Sequence, residues 1–217
     1  LKLLIGKSIE ISYIKEQVKK YAPLKEIILI TGETGTGKEL VAKALHEESP
    51  YHKEPFMAIN CGALTDTLLE SELFGYEAGS FTGAVKQKKG IFEAVGKGTV
   101  FLDEFGDISQ KLQVSLLRVL ESNEIRMIGG SNTRKVECRI VVATNINLKQ
   151  AVEAKKFRED LYFRLARLEI RIPALRERIS DIPELVKHFL EGSSGISGNQ
   201  KTVSKEFLNI LSQYQWP

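Results

Sequence analysis

Residues 27–38 read Ile-Ile-Leu-Ile-Thr-Gly-Glu-Thr-Gly-Thr-Gly-Lys, and this stretch decides the fold. An apolar run comes first, a glycine-rich segment follows, and residues 40–45 return to helical periodicity. Gly32 and Gly37 are separated by four residues and followed by Lys38, which is the phosphate-binding loop pattern. In such loops backbone N–H groups converge on a polyphosphate at a helix N-terminus. The stretch therefore predicts strand, loop and helix around a nucleotide, with Lys38 reaching its outer phosphates.

The alternative is a simple glycine turn with a solvated Lys38, but the strand and helix that the motif requires flank it on both sides. Glu39 stands where Ser or Thr usually holds Mg²⁺, and any direct role for it stays open. The apolar segment 3–6 either covers one side of the base or packs in the core. The predicted nucleotide-binding residues are Gly32, Glu33, Thr34, Gly35, Thr36, Gly37, Lys38, Glu39, Ile5 and Gly6.

The composition is that of an ordinary globular protein, with 217 residues, 42% hydrophobic and 27% charged, enough for one full domain and the start of another. The sequence shows neither a run of about 20 apolar residues nor a signal-peptide pattern, and we expect a cytoplasmic protein with no membrane partner. A net charge of +3 is too small to argue nucleic-acid binding. Cys61 and Cys138 lack metal-ligand spacing and are expected to be buried thiols.

Four further strand-like runs alternate with helical segments, at residues 56–60, 98–104, 139–145 and 168–172. This order predicts an α/β fold with a five-stranded parallel sheet flanked by helices. The runs at 56–60, 98–104 and 139–145 are apolar enough to be buried strands. A helix over 182–190, a Gly/Ser-rich loop over 191–200 and a helix over 203–214 are expected to form part of a helical lid.

Asp103 and Glu104 end the third of these strands, and ligands of open α/β sheets bind at the carboxyl ends of strands. Asp103 is predicted to bind Mg²⁺, directly or through water, and Glu104 to polarise the attacking water. Two acids that cap the next helix are the alternative, which the upstream phosphate loop disfavours. Thr144 and Asn145 end the next strand and are candidates to hydrogen-bond the water or outer phosphate, although strand-ending Asn often simply forms turns.

Residues 75–84 read Gly-Tyr-Glu-Ala-Gly-Ser-Phe-Thr-Gly-Ala, a composition that ends a helix and favours a projecting loop. An exposed Phe81 on a glycine-hinged tip is typical of a protein-contacting probe, and a mobile surface loop is the alternative. Residues 125–136 alternate around Gly129-Gly130 and predict a hairpin insertion.

The segment 79–84, Gly-Ser-Phe-Thr-Gly-Ala, resembles the Gly-Ala-Phe-Thr-Gly-Ala signature of the central AAA+ domain of sigma-54-dependent transcriptional activators, the NtrC-like enhancer-binding proteins. The preceding Glu-Ser-Glu-Leu-Phe-Gly at 70–75 is similar to the family's lead-in. The phosphate loop with its following Glu39, Phe-Arg-Glu-Asp-Leu-Tyr-Phe-Arg-Leu at 157–165 and Pro-Ala-Leu-Arg-Glu-Arg at 173–178 also look like family segments. The resemblance extends along essentially the whole chain.

The resemblance implies an ATPase, hexameric or heptameric, that binds ATP and Mg²⁺ and remodels RNA polymerase holding sigma-54 so that the promoter opens. It implies an AAA+ core over 1–173 and a truncated lid over 174–217. Arg158 and Arg164 match arginine fingers that reach a neighbouring subunit's nucleotide, Asn60 a switch that hydrogen-bonds Glu104, and Asn145 the first sensor. The residues expected to contact sigma-54 are Gly79, Ser80, Phe81, Thr82, Gly83 and Ala84.

The chain departs from the family pattern in two places. Ser80 replaces the signature alanine, and the sequence ends at Pro217, before the lid segment that carries the second sensor arginine. The receiver and DNA-binding domains that usually flank this domain are not in the sequence, so we expect DNA contact only through such a domain. Two other classes remain as alternatives, a DNA-directed AAA+ loader, which would lack the Phe-Thr loop, and a non-catalytic nucleotide-dependent scaffold, which the Asp103-Glu104 pair disfavours.

Overall fold

A computed structural model describes residues 1–194 and 203–216 of the chain. Strands and helices alternate along most of it, as the sequence predicts. The strands are β1 (Ile28–Thr31), β2 (Phe56–Asn60), β3 (Gly75–Tyr76), β4 (Lys88–Lys89), β5 (Thr99–Asp103), β6 (Glu124–Arg126), β7 (Thr133–Lys135), β8 (Arg139–Thr144) and β9 (Glu169–Arg171). The helices are α1 (Ile9–Tyr21), α2 (Lys38–Glu47), α3 (Asp66–Phe74), α4 (Ile91–Ala94), α5 (Gln110–Ser122), α6 (Leu148–Glu153), α7 (Glu159–Leu165), α8 (Ile182–Ser194) and α9 (Lys205–Gln213).

Five of these strands form one parallel sheet in the order β2-β5-β8-β1-β9. Thr31 of β1 lies opposite Thr144 of β8, and Asn60 of β2 lies opposite Asp103 of β5. The carboxyl ends of the strands therefore share one edge of the sheet. The predicted five-stranded parallel sheet is confirmed, and this edge collects the polar residues that end the strands.

Two apolar layers cover the two faces of the sheet. On one face, helix α1 packs through Ile11, Ile14 and Val18 together with α2 against the sheet. On the other face, α3, α5 and α7 bury their leucines beside Phe92 and Phe105. Burial of this apolar surface is the main stabilising contribution to the fold, and both cysteines lie within the second layer as expected.

Two expectations about buried and irregular segments are wrong. β2 is an edge strand in which only Ile59 is buried, because the neighbour β5 pairs with one side of it alone. The predicted loop over 191–200 begins too early, since α8 continues to Ser194. Gly192 lies within this helix, and a glycine costs about 1 kcal/mol in a helix interior but does not forbid it. The rest of that predicted loop lies outside the described residues.

Arg139, the first residue of β8, is buried at the amino edge of the sheet. Its guanidinium donates to the carbonyl of Tyr21 at 2.9 Å and to that of Leu45 at 3.1 Å, in the last turns of α1 and α2. A cation near helix C-termini is favoured by the helix dipole. Burial lowers the Arg139 pKa to about 10, so the side chain remains charged at neutral pH while it ties two helices to the sheet.

Two short antiparallel ribbons, β3–β4 and β6–β7, project from the sheet domain. They are joined by backbone hydrogen bonds from Glu77 N to Ile128 O and from Ile128 N to Gly75 O, both 3.0 Å. The predicted hairpin is confirmed, and it braces the glycine-rich loop that precedes β4. Within the described residues, no helix has the length and apolarity needed to cross a membrane.

Candidate nucleotide site and projecting loop

The phosphate loop leaves β1 at the carboxyl edge of the sheet and runs directly into α2. Gly35 and Gly37 adopt positive φ angles of 81° and 95°, which side chains of L-residues disfavour. Gly37 immediately precedes the first helical residue, Lys38. The free N–H groups of a helix N-terminus after such a turn form an anion-binding site. Local geometry thus supports the phosphate-binding role predicted for residues 32–37.

Lys38 is 8% exposed, and its ammonium donates to the carbonyls of Gly32 and Glu33, both at 3.0 Å. Burial lowers the pKa of Lys38, and the negative charges of Asp103 and Glu104 partly oppose this shift. The ammonium and the two carboxylates therefore lie close enough to interact electrostatically at the carboxyl edge of the sheet.

Asp103 and Glu104 emerge from the end of β5 with distinct backbone conformations. Asp103 is the last strand residue, and its Oδ1 accepts the Glu104 N–H at 2.9 Å. Glu104 has φ 52°, a left-handed conformation that is uncommon for residues other than glycine and that concentrates at functional sites. The chain therefore turns sharply between the last strand residue, Asp103, and the following Glu104.

Asn60 ends the neighbouring strand β2, and its Oδ1 accepts the N–H groups of Gly62 and Ala63, both at 2.9 Å. The carboxylate of Glu104 lies against the same turn, with Oε2 only 2.5 Å from where a Cβ on Gly62 would stand. Asn60 therefore shapes the turn on which Glu104 rests. The sequence analysis missed Gly62, and the only available signal was a glycine two residues after a strand-ending Asn.

The two polar residues at the end of β8 have different surroundings. Asn145 donates from Nδ2 to the hydroxyl of Thr34 in the phosphate loop at 3.2 Å. Thr144 is fully buried, and its hydroxyl accepts the N–H of Ile146 at 3.2 Å. The structure therefore brings Asn145 to the phosphate loop, whereas Thr144 supports the turn after β8 and is withdrawn as a candidate for water or phosphate binding.

Glu39 and Gly6 both make contacts within the chain. Glu39 lies half-exposed on α2 and pairs with Lys43 one turn later, at 2.7 Å. Because an i,i+4 pair runs along the helix surface, this carboxylate is directed to the Lys43 side chain. Contact between Glu39 and the nucleotide stays a prediction, which its backbone N–H in the first turn of α2 can meet. Gly6 is buried against Asp181, beyond the end of the sheet domain.

Arg158 and Arg164 lie at the two ends of α7 and are both engaged within the chain. The Arg158 guanidinium, about 44% exposed, donates to the two carboxylate oxygens of Asp160 at 3.0 and 2.7 Å. Arg164 donates twice to the carbonyl of Leu120 in the last turn of α5, at 3.0 and 2.7 Å. Arg158 is held by a half-exposed ion pair, which is the weaker of the two restraints.

The projecting loop ends in a compact turn closed by hydrogen bonds from Gly79 N to Ala84 O and from Ala84 N to Phe81 O, at 2.8 and 3.0 Å. Phe81 is 46% exposed and packs edge to face on Tyr76, with ring centroids 4.9 Å apart. Ser80 turns inward, where its hydroxyl is buried without a hydrogen-bond partner. Phe81 and Thr82 are thus presented at the tip, while Ser80 faces the hairpin.

The model of the sigma-54 interaction domain matches residues 4–171, and that of the AAA+ ATPase lid domain matches residues 176–217. The first match covers well over half of the chain.

The chain belongs to the sigma-54 interaction domain family.

Curated relatives agree with this membership. The chain is 48% identical over 215 residues to a Nif-specific regulatory protein of Azotobacter vinelandii, covering 99% of the chain and 41% of the relative. It is 43% identical over 217 residues to the Nif-specific regulatory protein of Klebsiella pneumoniae, covering 100% of the chain and again 41% of the relative. The chain thus spans about two fifths of the length of these relatives.

Solved structures give the same fold. NtrX from Brucella abortus superposes with a TM-score of 0.89 at 32% identity, over 99% of this chain and 49% of that one. NtrX in complex with ATP superposes with a TM-score of 0.90 at 33% identity, over 98% and 46% of the two chains. The sheet domain and the helices after it therefore have an AAA+ P-loop NTPase architecture.

The lid segment contributes contacts to the phosphate loop that no sequence pattern predicted. Arg176 forms a bidentate ion pair with Glu33, with Nη1 to Oε2 at 2.7 Å, and this pairing lowers the pKa of Glu33. Arg178 donates to the carbonyl of Thr36 at 3.3 Å. These partners are more than 140 residues away along the chain, so no local pattern indicates them.

A cleft of about 620 Å³ opens between the phosphate loop and α9. Its size is in the range of small-molecule sites. Its walls are Glu33, Arg176, Ile179, Ser212, Gln213, Tyr214 and Gln215.

Proposed function

We propose that this chain hydrolyses ATP and couples hydrolysis to the remodelling of sigma-54 RNA polymerase holoenzyme, as part of a longer transcriptional activator. The observation that supports the proposal best is that one chain combines Lys38, in electrostatic contact with the Asp103-Glu104 pair, with a braced, exposed Phe81-Thr82 tip. A phosphate-binding cleft alone is compatible with many NTPases. The tip is the feature that selects a protein partner.

In the proposed mechanism, the N–H groups of residues 32–37 and the ammonium of Lys38 bind the phosphates. Glu104 accepts the proton of the attacking water as general base, held on the Gly62 turn that Asn60 shapes. Asn145, hydrogen-bonded to Thr34, is placed to sense the outer phosphate. Water exclusion by the lid segment strengthens each of these electrostatic interactions.

Asp103 is the residue proposed to hold Mg²⁺. Mg²⁺ keeps several waters and takes one or two carboxylates together with substrate phosphates, and a single strand-ending carboxylate fits this ligand set. Within the described residues, no cluster of three or more His, Cys, Asp or Glu side chains could hold a metal without the nucleotide. When bound, the ion neutralises charge on the β- and γ-phosphate oxygens.

We further propose a homo-oligomeric ring in which Arg158 or Arg164 reaches the nucleotide of a neighbouring subunit. Exposure of the Arg158 guanidinium at the start of α7 supports this role, because only the ion pair with Asp160 must be exchanged for a phosphate. The proposed division is an ATPase core over 1–173 and part of a helical lid over 174–217. An RNA polymerase partner places the chain in the bacterial cytoplasm, and promoter DNA is contacted through another domain.

The decisive experiment measures ATP hydrolysis and sigma-54-dependent transcription separately in the same variants. In the full-length protein, F81A removes the exposed ring, and V85A removes an apolar side chain that is 85% exposed just outside the turn. Interface anchors such as aromatic residues often carry 2 kcal/mol or more of binding energy, so F81A should abolish sigma-54-dependent transcription while ATP turnover stays within about twofold of wild type. V85A should retain both activities. Normal transcription by F81A would contradict the proposed role of the tip.

A further inference from the structure

Gln113 is a fully buried glutamine of helix α5 that the proposed mechanism does not use. Its Nε2 donates to the carbonyls of Ile108 and Lys156, both at 3.1 Å, and its Oε1 accepts the N–H of Arg158 at 2.8 Å. Carbonyls only accept and an N–H only donates, so these partners fix the orientation of the amide. A buried polar side chain that is satisfied in this way holds the segments that it joins in one arrangement.

The start of α7 is one of the segments that Gln113 holds. Arg158 directly precedes this helix, and an N–H at that position has no acceptor within a helix of its own, so Gln113 supplies one. The preceding Phe157 is buried and packs edge to face on Phe105, with ring centroids 6.3 Å apart. The backbone of Arg158 is thus fixed, whereas its guanidinium is held only by the half-exposed pair with Asp160.

The other segment that Gln113 holds follows the proposed general base. Ile108 lies four residues after Glu104, with the short helical turn Phe105–Asp107 between them. Further along α5, the carbonyl of Leu120 accepts hydrogen bonds from Arg164 near the end of α7. Helix α5 therefore holds α7 at both ends, and at the Arg158 end the same amide also holds the segment after Glu104.

We propose that Gln113 is a positioning residue for the arginine that reaches a neighbouring subunit's nucleotide, acting through the backbone of Arg158. This inference rests on the proposed function, in which Arg158 acts in trans. An arginine that crosses a subunit boundary must arrive in the correct geometry, and a misplacement of about 1 Å can cost about 10²-fold in rate. Gln113 should therefore serve the active site of the neighbour, although Glu104 of its own subunit is closer along the chain.

The test measures phosphate release by full-length protein that carries Q113M. Methionine is close to glutamine in volume but lacks its hydrogen-bonding groups, so it frees the Arg158 N–H without opening a large cavity. Turnover by Q113M alone should fall about 10- to 100-fold, while ATP affinity stays within about twofold, because residues 32–38 are unchanged. Mixing with K38A subunits should restore part of the turnover, because each K38A subunit presents a correctly placed Arg158 to a Q113M neighbour.

A second mixture shows in which subunit Gln113 acts. Q113M and R158A both impair the arginine that is presented to the neighbour, so a mixture of the two should be no more active than Q113M alone. Recovery in this mixture would overturn the inference, because Gln113 would then act on the active site of its own subunit. Absence of recovery with K38A would overturn it as well, since the defect would not lie in the presented arginine.

Q110M is the matched control. Gln110 lies at the start of the same helix and donates to the carbonyl of Lys155 at 3.1 Å, but it is exposed. This variant loses a hydrogen bond to the segment before Arg158 and should keep turnover within about twofold of wild type.

Two further results are assigned in advance. If Q113M does not fold, as judged by its thermal melting, Q113N takes its place in the same mixtures, because it keeps an amide on a side chain that is one methylene shorter. If R158A and K38A subunits do not restore each other's turnover, the proposed trans role of Arg158 itself fails, whatever the Gln113 variants show.

Discussion

The nucleotide cleft and the projecting tip are both glycine-rich turns, yet they are stabilised in opposite ways. Gly35 and Gly37 of the cleft and Gly79 and Gly83 of the tip all have positive φ. The cleft is held by side chains from distant segments, among them Asn145, Arg176 and Arg178. The tip is held by its own short hydrogen bonds and by one neighbouring hairpin. Several distant segments thus hold the turn proposed for chemistry, whereas a single neighbouring hairpin supports the turn proposed to contact a protein partner.

The difference gives a rule for interpreting variants. Changes in the cleft should alter turnover whether or not a partner is present, because the reacting groups lie there. Changes in the tip and its hairpin should lower transcription and leave ATP turnover unchanged. Variants of Arg158 and Glu104 test the cleft, and a variant of Gly129 tests the support of the tip.

The largest effect is expected for Arg158. Trans arginines in related phosphoryl transfers contribute about 10³ to 10⁵ in rate, so R158A should lose most ATP turnover. Mixing R158A with K38A subunits should restore part of it, because a K38A subunit supplies Arg158 to the intact phosphate loop of its neighbour. Turnover of the mixture is measured by phosphate release. R167A, which removes an exposed arginine just after α7, is the control and should keep wild-type turnover.

Recovery in the mixture would support an active site shared between subunits. A mixture no more active than its components would contradict the trans role, and the Arg158–Asp160 ion pair would then be structural.

The next effect concerns Glu104. General bases contribute about 10² to 10⁴ in rate, and E104Q should lose turnover by that order while ATP affinity stays near wild type. The glutamine fits the same space beside Gly62 but accepts a proton poorly. ATP affinity and turnover are measured on the same preparation. Loss of ATP binding instead would mean that Glu104, not Asp103, holds the metal.

A smaller effect is expected at Gly129 in the hairpin that braces the tip. A Cβ there would lie 2.6 Å from the Cβ of Ser80, and φ is 75°. G129A should destabilise the contact by about 2 kcal/mol through backbone strain and overpacking. Transcription should fall while ATP turnover is retained. G130A is the matched control, because a Cβ at Gly130 would come no closer than 3.3 Å to its neighbours.

Reduced ATP turnover in G129A would contradict the expectation that the tip and the cleft act independently. It would show that the hairpin also organises the cleft.

The sequence predicted the parts of the molecule that depend on neighbouring residues. The five strands, the phosphate loop and the hairpin predicted over 125–136 each have a local pattern, and all are present. The edge position of β2 was not predictable, because strand order depends on the crossover connections, and the residues of one strand do not specify its neighbours. The tip was recognisable because its signature is one short segment.

Long-range contacts account for what the sequence did not reveal. Thr144 and Asn145 are neighbours with the same strand-end signal, and only the packing of β8 decides which one reaches Thr34. Asp181 directly precedes α8, yet its carboxylate accepts hydrogen bonds from a segment more than 170 residues earlier. Arg139 gave no signal of burial, because its partners are the carbonyls of two helix ends.

The buried cysteines have a practical consequence. Cys61 and Cys138 are the two cysteines in the sequence, both are almost fully buried, and burial raises the pKa of each thiol to about 12. Because the thiolate is the reactive form, both are protonated and shielded at neutral pH. A cysteine introduced at exposed Val85 would therefore be the preferred target of a maleimide dye. The native chain is already suited to reporting movement of the tip by fluorescence, without removal of either thiol.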